Sequence, residues 1–310
     1  MPPALLGLAH YLPPPQPVGG LTRPIAVEAV GASDLALEAT RQALGEADLS
    51  AEDIELLVFA TMTPDVSFPG AGCLLQKKLG FATIGALDVR GQCAGYLMGL
   101  MVAHDFIRAG LYRTVLLAAA EVHSSGLDYS EGGAAIARLY GDGAAVTVLG
   151  NREGGAIESV ICRGDGTWYD RFWIEYPASR HHPTRLTVDD LRAGRHFPQL
   201  DFDHIEHFGI THLPEVVREA LAAAAVSGDD VDCFILSHVL PAVVERSAAA
   251  LRLPSAKVIA AGARHGHLTA ASLPVALSEA RAAGRVGAGA RVCLAACGAG
   301  YAWGAAVLTL

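Results

Sequence analysis

The chain has 310 residues, of which 52% are hydrophobic and only 6% aromatic, with a mean hydropathy of +0.34. That is enough apolar material for one large duplicated core or two ordinary domains, and it excludes a disordered chain. A formal net charge of −9 leaves no basic footprint, so neither nucleic acid nor an anionic membrane is an expected partner. No uninterrupted apolar run approaches bilayer length. Residues 1–6 lack the basic region of a secretory leader. The six cysteines (73, 93, 162, 233, 293 and 297) include no CxxC pair, so a reduced, cytoplasmic location is expected.

Residues 4–10 read as a strand, followed by the turn Pro13-Pro14-Pro15. Residues 34–47 carry Leu37, Arg41, Leu44 and Ala47 at helical spacing. A capping signal ending at Asp53 and a strand over 54–60 follow, and residues 70–79 read as helical. An apolar run over 84–89 predicts a short buried strand, then a turn at Gly91 and a helix of small residues over 94–109. Cys93 falls at the start of that helix. A thiol there faces unpaired backbone N–H groups and the positive end of the helix dipole, which favours thiolate and a nucleophilic role. The competing reading is a small packed hydrophobe. A strand over 114–119, the turn Gly141-Asp142-Gly143 and a strand over 144–149 close the first half.

The second half repeats this order. Helix 214–225, the turn Ser227-Gly228-Asp229-Asp230 and strand 231–237 come first. Residues 53–59 (DIELLVF) fall on 230–236 (DVDCFIL), and Pro64 on Pro241. Helix 268–283 answers the helix after Cys93; strand 291–296 and the run 304–308 answer strands 114–119 and 143–147. A repeat of about 150 residues is too long for a solenoid unit. It predicts two α/β units, residues 1–152 and 153–310, each with helices covering a sheet. If a pseudo-twofold relates them, His267 is the approximate counterpart of Cys93, and His238 follows a strand end equivalent to Thr61. A thiol and two imidazoles then converge in the pattern of Cys–His nucleophilic catalysis.

These residues resemble the β-ketoacyl-acyl-carrier-protein synthase III branch of the thiolase-like condensing enzymes. The resemblance is carried by Asp88-Val89 with Cys93-Ala94-Gly95, by Tyr140-Gly141-Asp142-Gly143-Ala144, and by Arg264-His265-Gly266 with Ala270-Ala271-Ser272-Leu273-Pro274. It extends through Gly298-Ala299-Gly300-Tyr301-Ala302-Trp303-Gly304. It implies an α/β, duplicated thiolase-like fold of five layers, αβαβα, with two mixed sheets, and a homodimer. It also implies an acyl-enzyme on Cys93, His238 as the catalytic histidine, and an oxyanion hole from the backbone N–H groups of Cys93 and Ala299 in the loop of Gly298 and Gly300. Phe68 matches a residue that lines the neighbouring subunit's acyl pocket. No tightly bound cofactor or metal is implied. The substrate is an acyl thioester of phosphopantetheine, on acyl carrier protein or coenzyme A.

Several positions depart from the family pattern. The usual asparagine is His267, and the run after the catalytic histidine reads His238-Val239-Leu240-Pro241. A histidine donates a similar hydrogen bond but also acts as a base near neutral pH. The segment between Pro15 and Leu21 is short. An arginine expected near residues 131–135 is absent, and another is replaced by Val243, which removes cations that would pair with nucleotide phosphates. Arg23, Arg246 and Arg264 are left as candidate contacts for a carrier protein.

Residues 164–208 match the family least. They are aromatic around Trp168–173, and six histidines lie between His181 and His212. A roof over the acyl channel is the expected role; a metal site using His204 and His207 at i, i+3 lacks a recognised third ligand. The glycine turns at 141–143 and 298–300 do not precede helices as phosphate loops do. The sequence therefore points to an acyltransferase that loads Cys93 from a thioester and passes the acyl group to a carbon nucleophile of malonyl type, in fatty-acid or specialised metabolism. Transfer to a hydroxyl, amine or thiol is one alternative. A weakly active partner subunit of a heterodimeric condensing enzyme is another.

Overall fold

The computed structural model describes residues 1–80 and 83–310. The first half runs β1 (Pro3–Tyr11), a hairpin of β2 (Pro15–Val18) and β3 (Leu21–Pro24), α1 (Ala32–Ala47), β4 (Leu56–Ala60) and α2 (Ala71–Leu79). It continues through β5 (Gly85–Val89), α3 (Gly95–Arg108), β6 (Thr114–Glu121), the short α4 (Ala134–Ala137) and β7 (Gly143–Asn151). The second half runs β8 (Ala156–Gly164), β9 (Phe172–Trp173), α5 (Val188–Arg192), β10 (Gln199–Leu200), α6 (Phe202–Ala223) and β11 (Cys233–Ser237). It ends with α7 (Pro241–Ala250), β12 (Val258–Ala261), α8 (Ser272–Ala282), β13 (Arg291–Gly298) and β14 (Ala302–Thr309).

Two five-stranded mixed sheets result, ordered β1-β7-β6-β4-β5 and β12-β11-β13-β14-β8. Read from opposite ends the two orders coincide, with β4 equivalent to β11 and β6 to β13. Each central strand is an unbroken apolar run because both its faces are covered. Along β4 the alternation of side chains sends Leu57 and Phe59 to α1 and α2, and Leu56, Val58 and Ala60 to the middle of the molecule. Along β11, Cys233 and Ile235 face the same middle, while Phe234 and Leu236 face α6 and α7. The middle layer is α3 and α8, whose Leu97, Leu100, Leu273 and Leu277 are fully buried between the sheets. The layering is αβαβα. Burying each such leucine is worth about 1.5–3 kcal/mol relative to leaving it in water. Among the described residues no helix is long and apolar enough to cross a membrane.

Two expectations are corrected. The strand predicted as buried is an exposed sheet edge: among the described residues β5 pairs only with β4, and Leu87 is 40% exposed. Its Asp88 is spent on α2, accepting from the backbone N–H groups of Ala71 (2.6 Å) and Gly72 (2.9 Å). The helix predicted to begin at Pro214 begins at Phe202, with the Asp201 carboxylate accepting from the His204 N–H at its start and Pro214 inside it. Pro214 reads as an N-terminal residue because it lacks a donor, yet here the buried stripe Ile205, Phe208, Leu213, Val217 carries the helix through it. The segment 164–208 carries a 3₁₀ turn (Gly166–Arg171), the β9–β10 pair and α5.

Candidate active site

Cys93 lies in a 3₁₀ turn (Gln92–Ala94) that joins β5 to α3. Gly91 must be glycine there, since a Cβ would press on Met98 Sδ and the backbone of Gly95. At the facing end of β13, a Cβ on Gly298 would come to 2.1 Å from Cys93 Sγ, so the absent side chain is what admits the thiol. The backbone N–H of Ala299 points at the same sulfur, as does the N–H of Cys93 itself. Burial, with Glu121 adding to it, holds the thiol up at about 12 even though the N–H groups of Ala299 and Cys93 pull it down. Burial thus outweighs the helix dipole at this thiol. Cys93 is 2% exposed and rests as a thiol.

His267 is held by the first half of the chain. Its N–H donates to Leu139 O at 2.7 Å, and its carbonyl accepts from Gly141 N at 3.3 Å. This fixes Nε2 at 3.1 Å from Cys93 Sγ and Nδ1 at 3.4 Å from Ser272 Oγ. Burial, with His123 and His238 nearby, holds the ring well below the usual histidine range, so it is neutral. The pseudo-twofold pairs Cys93 with a residue other than His267. Gln92 and Thr269 share a positive φ (45° and 48°) just before equivalent helices, which makes Ala270 the structural counterpart of Cys93. His267 sits upstream of that point, where the loop carries its ring back to the sulfur.

His238 follows β11 directly, and its Nδ1 accepts from the Leu240 N–H at 3.0 Å. Its proton therefore sits on Nε2. That atom is buried and has no hydrogen-bond partner among the described residues. Burial lowers the group to about 4, so the ring is neutral. Gly209 of α6 lies against it, where a Cβ would come to 2.8 Å from Nε2 and 2.7 Å from Val243 Cγ1. A donor with no acceptor, in a space kept clear by a glycine, is built to receive an oxygen.

A supporting layer was not singled out in the sequence. Glu121, fully buried at the end of β6, accepts from Met62 N (3.1 Å), Thr63 N (3.1 Å) and Thr63 Oγ1 (2.6 Å), and also from Ala270 N–H. Burial raises it to about 7 despite those donors. Close by, His123 Nε2 lies 2.6 Å from Thr269 Oγ1, and its ring is 4.6 Å from that of Tyr140. The available signal was a charged residue ending the otherwise unbroken apolar run 115–120.

A cleft of about 380 Å³ leads inward from Arg23 and Arg138 to His238 and His267. Arg23 donates to the Arg138 carbonyl through Nε (3.2 Å) and Nη2 (3.0 Å), which ties the β2–β3 hairpin to the segment after α4. Arg138 lies three residues past the 131–135 stretch in which the resemblance implies an arginine. Arg246 and Arg264 are engaged instead by Glu206 and Glu279. Gly300 takes φ +127° in the loop from β13 to β14. Phe68 lies outside the cleft lining, on the loop before α2, and is 88% exposed. His204, one of the two residues weighed as metal ligands, instead meets Tyr301 OH at 3.0 Å.

Two family models match the chain: 3-oxoacyl-[acyl-carrier-protein (ACP)] synthase III over residues 87–166, and the C-terminal part of the same family over residues 221–310. A β-ketoacyl-[acyl-carrier-protein] synthase III of Rhodospirillum centenum is 36% identical over 292 residues, covering 93% of this chain and 86% of that protein. The Clostridioides difficile protein of the same description is 33% identical over 286 residues, with coverage of 92% and 86%. The solved 3-oxoacyl-[acyl-carrier-protein] synthase III of Aquifex aeolicus superposes with a TM-score of 0.88 at 26% identity, over 99% of this chain and 100% of that one. The corresponding Thermus thermophilus structure gives 0.88 at 28% identity, over 99% of each chain.

Proposed function

This chain belongs to the β-ketoacyl-[acyl-carrier-protein] synthase III family, and we propose that it takes an acyl group from a thioester onto Cys93 and joins it to a malonyl-type carbon nucleophile. The observation that carries the reading is the meeting of Cys93 Sγ, His267 Nε2 at 3.1 Å and the Ala299 N–H, beside the unpartnered Nε2 of His238. In the first half-reaction His267 Nε2 takes the thiol proton and the sulfur attacks the thioester carbonyl. The N–H groups of Cys93 and Ala299 hold the developing oxyanion, and the proton returns to the departing sulfur. In the second, the malonyl carboxylate leaves as carbon dioxide and His238 Nε2–H donates to the enolate oxygen, with His267 flanking it. The enolate carbon then attacks the acyl-Cys93 carbonyl, the carbon–carbon bond forms, and the sulfur departs as thiolate and takes a proton from water to restore the resting thiol.

Arg23 and Arg138 at the outer end of the cleft support a donor or acceptor carried on phosphopantetheine, from acyl carrier protein or coenzyme A, with no tightly bound cofactor. The exposed Phe68 and the unpaired edge of β5 support a homodimer. Transfer to a hydroxyl, amine or thiol remains a second reading, favoured by one observation: His267 is a neutral base already at the reacting sulfur. The test is intact-protein mass spectrometry with a panel of acyl-coenzyme A and acyl-carrier thioesters. A donor-specific mass gain, absent in Cys93→Ala and discharged by malonyl carrier with release of carbon dioxide, is the expected result. Discharge by hydroxyl, amine or thiol acceptors without carbon dioxide would replace condensation with simple acyl transfer. An adduct persisting in Cys93→Ala would sink the nucleophile assignment.

A further inference from the structure

For His267 to take a proton at Nε2, the neutral ring must carry its hydrogen on Nδ1, and a buried N–H there needs an acceptor. Among the described residues the one acceptor that Nδ1 reaches is Ser272 Oγ, at 3.4 Å. Ser272 is the first residue of α8, 1% exposed, and its Oγ already accepts from the Leu268 N–H at 2.8 Å. A hydroxyl oxygen has two lone pairs, so Ser272 Oγ has the capacity to accept from His267 Nδ1–H as well as from Leu268 N–H. Ser272 thus stands where nucleophile–base pairs carry a third, orienting group.

We propose that Ser272 is a positioning residue that holds His267 in the Nδ1–H form, so that its free Nε2 receives the Cys93 proton. The step balances. The Sγ–H bond breaks, the sulfur keeps the electron pair, and Nε2 gains the proton while Nδ1–H stays bonded to Ser272 Oγ. On collapse of the tetrahedral adduct Nε2 returns that proton to the leaving sulfur. Ser272 touches neither substrate nor the reacting sulfur; it acts through His267. The inference rests on the reading of Cys93 as nucleophile, but not on the identity of the acceptor.

The test is the rate of Cys93 alkylation by iodoacetamide against pH, in a background with the exposed Cys73 changed to Ser. This reaction forms an S–C bond and releases iodide without any acyl donor. Ser272→Ala is expected to slow alkylation at pH 7 by about tenfold and to move the pH profile upward, the scale of one lost buried hydrogen bond. In a His267→Asn background the same change is expected to do nothing further. The other ionisable groups facing the pair, Glu121 and Cys297 toward Cys93 and His123, His238 and Tyr140 toward His267, are unchanged in every variant. An equal loss in both backgrounds would reduce Ser272 to a brace for the loop and overturn the proposal, as would no loss in either. Nitrogen-15 NMR of the histidine rings needs no Ser272 variant: His267, assigned by its loss in His267→Asn, should show its hydrogen on Nδ1. An Nε2–H form would overturn the proposal. A wild-type Cys93 that resists alkylation at every pH would instead remove the nucleophile reading itself, and this inference with it.

Discussion

The two histidines at the cleft floor differ in one hydrogen bond each, and that difference assigns their chemistry. His238 Nδ1 accepts from Leu240 N–H, so its Nε2 is a donor, fit for an enolate oxygen and unfit to remove a proton. His267 Nε2 meets a thiol and its Nδ1 meets a hydroxyl, so it can serve as the base. Loading and discharge of Cys93 should therefore separate by mutation. His238→Ala is expected to leave the rate of Cys93 acylation within about twofold, while malonyl-dependent discharge falls by about 10²–10³, the cost of one lost donor to a developing oxyanion. Gly209→Ala, whose new methyl would push on His238 Nε2, should show the same split more weakly. Intact mass spectrometry reads both steps on one sample: acyl-enzyme should accumulate. Equal slowing of loading and discharge would mean that His238 supports the site as a whole.

At the level of elements, the strands and helices with a single periodic signal were legible. β4 and β11 were visible as matched apolar runs, and their equivalence revealed the duplication before any pairing was known. What the sequence hid is what neighbours decide. The run at 84–89 looks like β4, yet β5 is an edge, because edge or centre depends on which strands lie beside it. The start of α6 was hidden by Pro214, a local signal overruled by the buried stripe Ile205, Phe208 and Leu213 that precedes it. Cys93 and the histidines could be read because nucleophile chemistry restricts residue type. Ser272, Gly209 and Glu121 could not, since their roles lie in contacts made by chain segments far apart. The exposed edge has its own consequence. If β5 pairs with its copy across a twofold, each Leu87 approaches its mate or the residue beside it, and a charge there meets a like charge. Sedimentation should find the protein at twice the 32.2 kDa of one chain, and Leu87→Lys should raise the dimer dissociation constant at least tenfold. Sedimentation of the unmodified protein as a monomer at micromolar concentration would remove the dimer proposal.

For the whole molecule, the site's neutrality has a thermodynamic consequence. His123, His238 and His267 are each no more than 6% exposed, and burial lowers them to about 3, to about 4 and well below the usual range, respectively. In the unfolded chain all three titrate near 6.5. As pH falls below that value the unfolded state binds protons that the folded state refuses. The stability these groups contribute is therefore complete above pH ~6.5 and is lost on acidification, by ~1.4 kcal/mol per pH unit for each histidine. Glu121 acts in the opposite sense: with its carboxyl raised to about 7, the folded state binds its proton first, and stability from this group grows as pH falls from 7 toward the unfolded value near 4.3. Between pH 6.5 and 4.5 the site's groups stand three against one, and His10, also lowered by burial, adds to the three, so urea midpoints should fall with pH by the equivalent of at least two protons. His123→Asn would lower the midpoint at every pH by losing the Tyr140 and Thr269 contacts, but it should flatten the slope by one proton. The slope, not the midpoint, is the diagnostic. A wild-type protein whose stability is flat over this range would mean that the histidines protonate in place, and a charged His267 could not serve as the base that Cys93 needs.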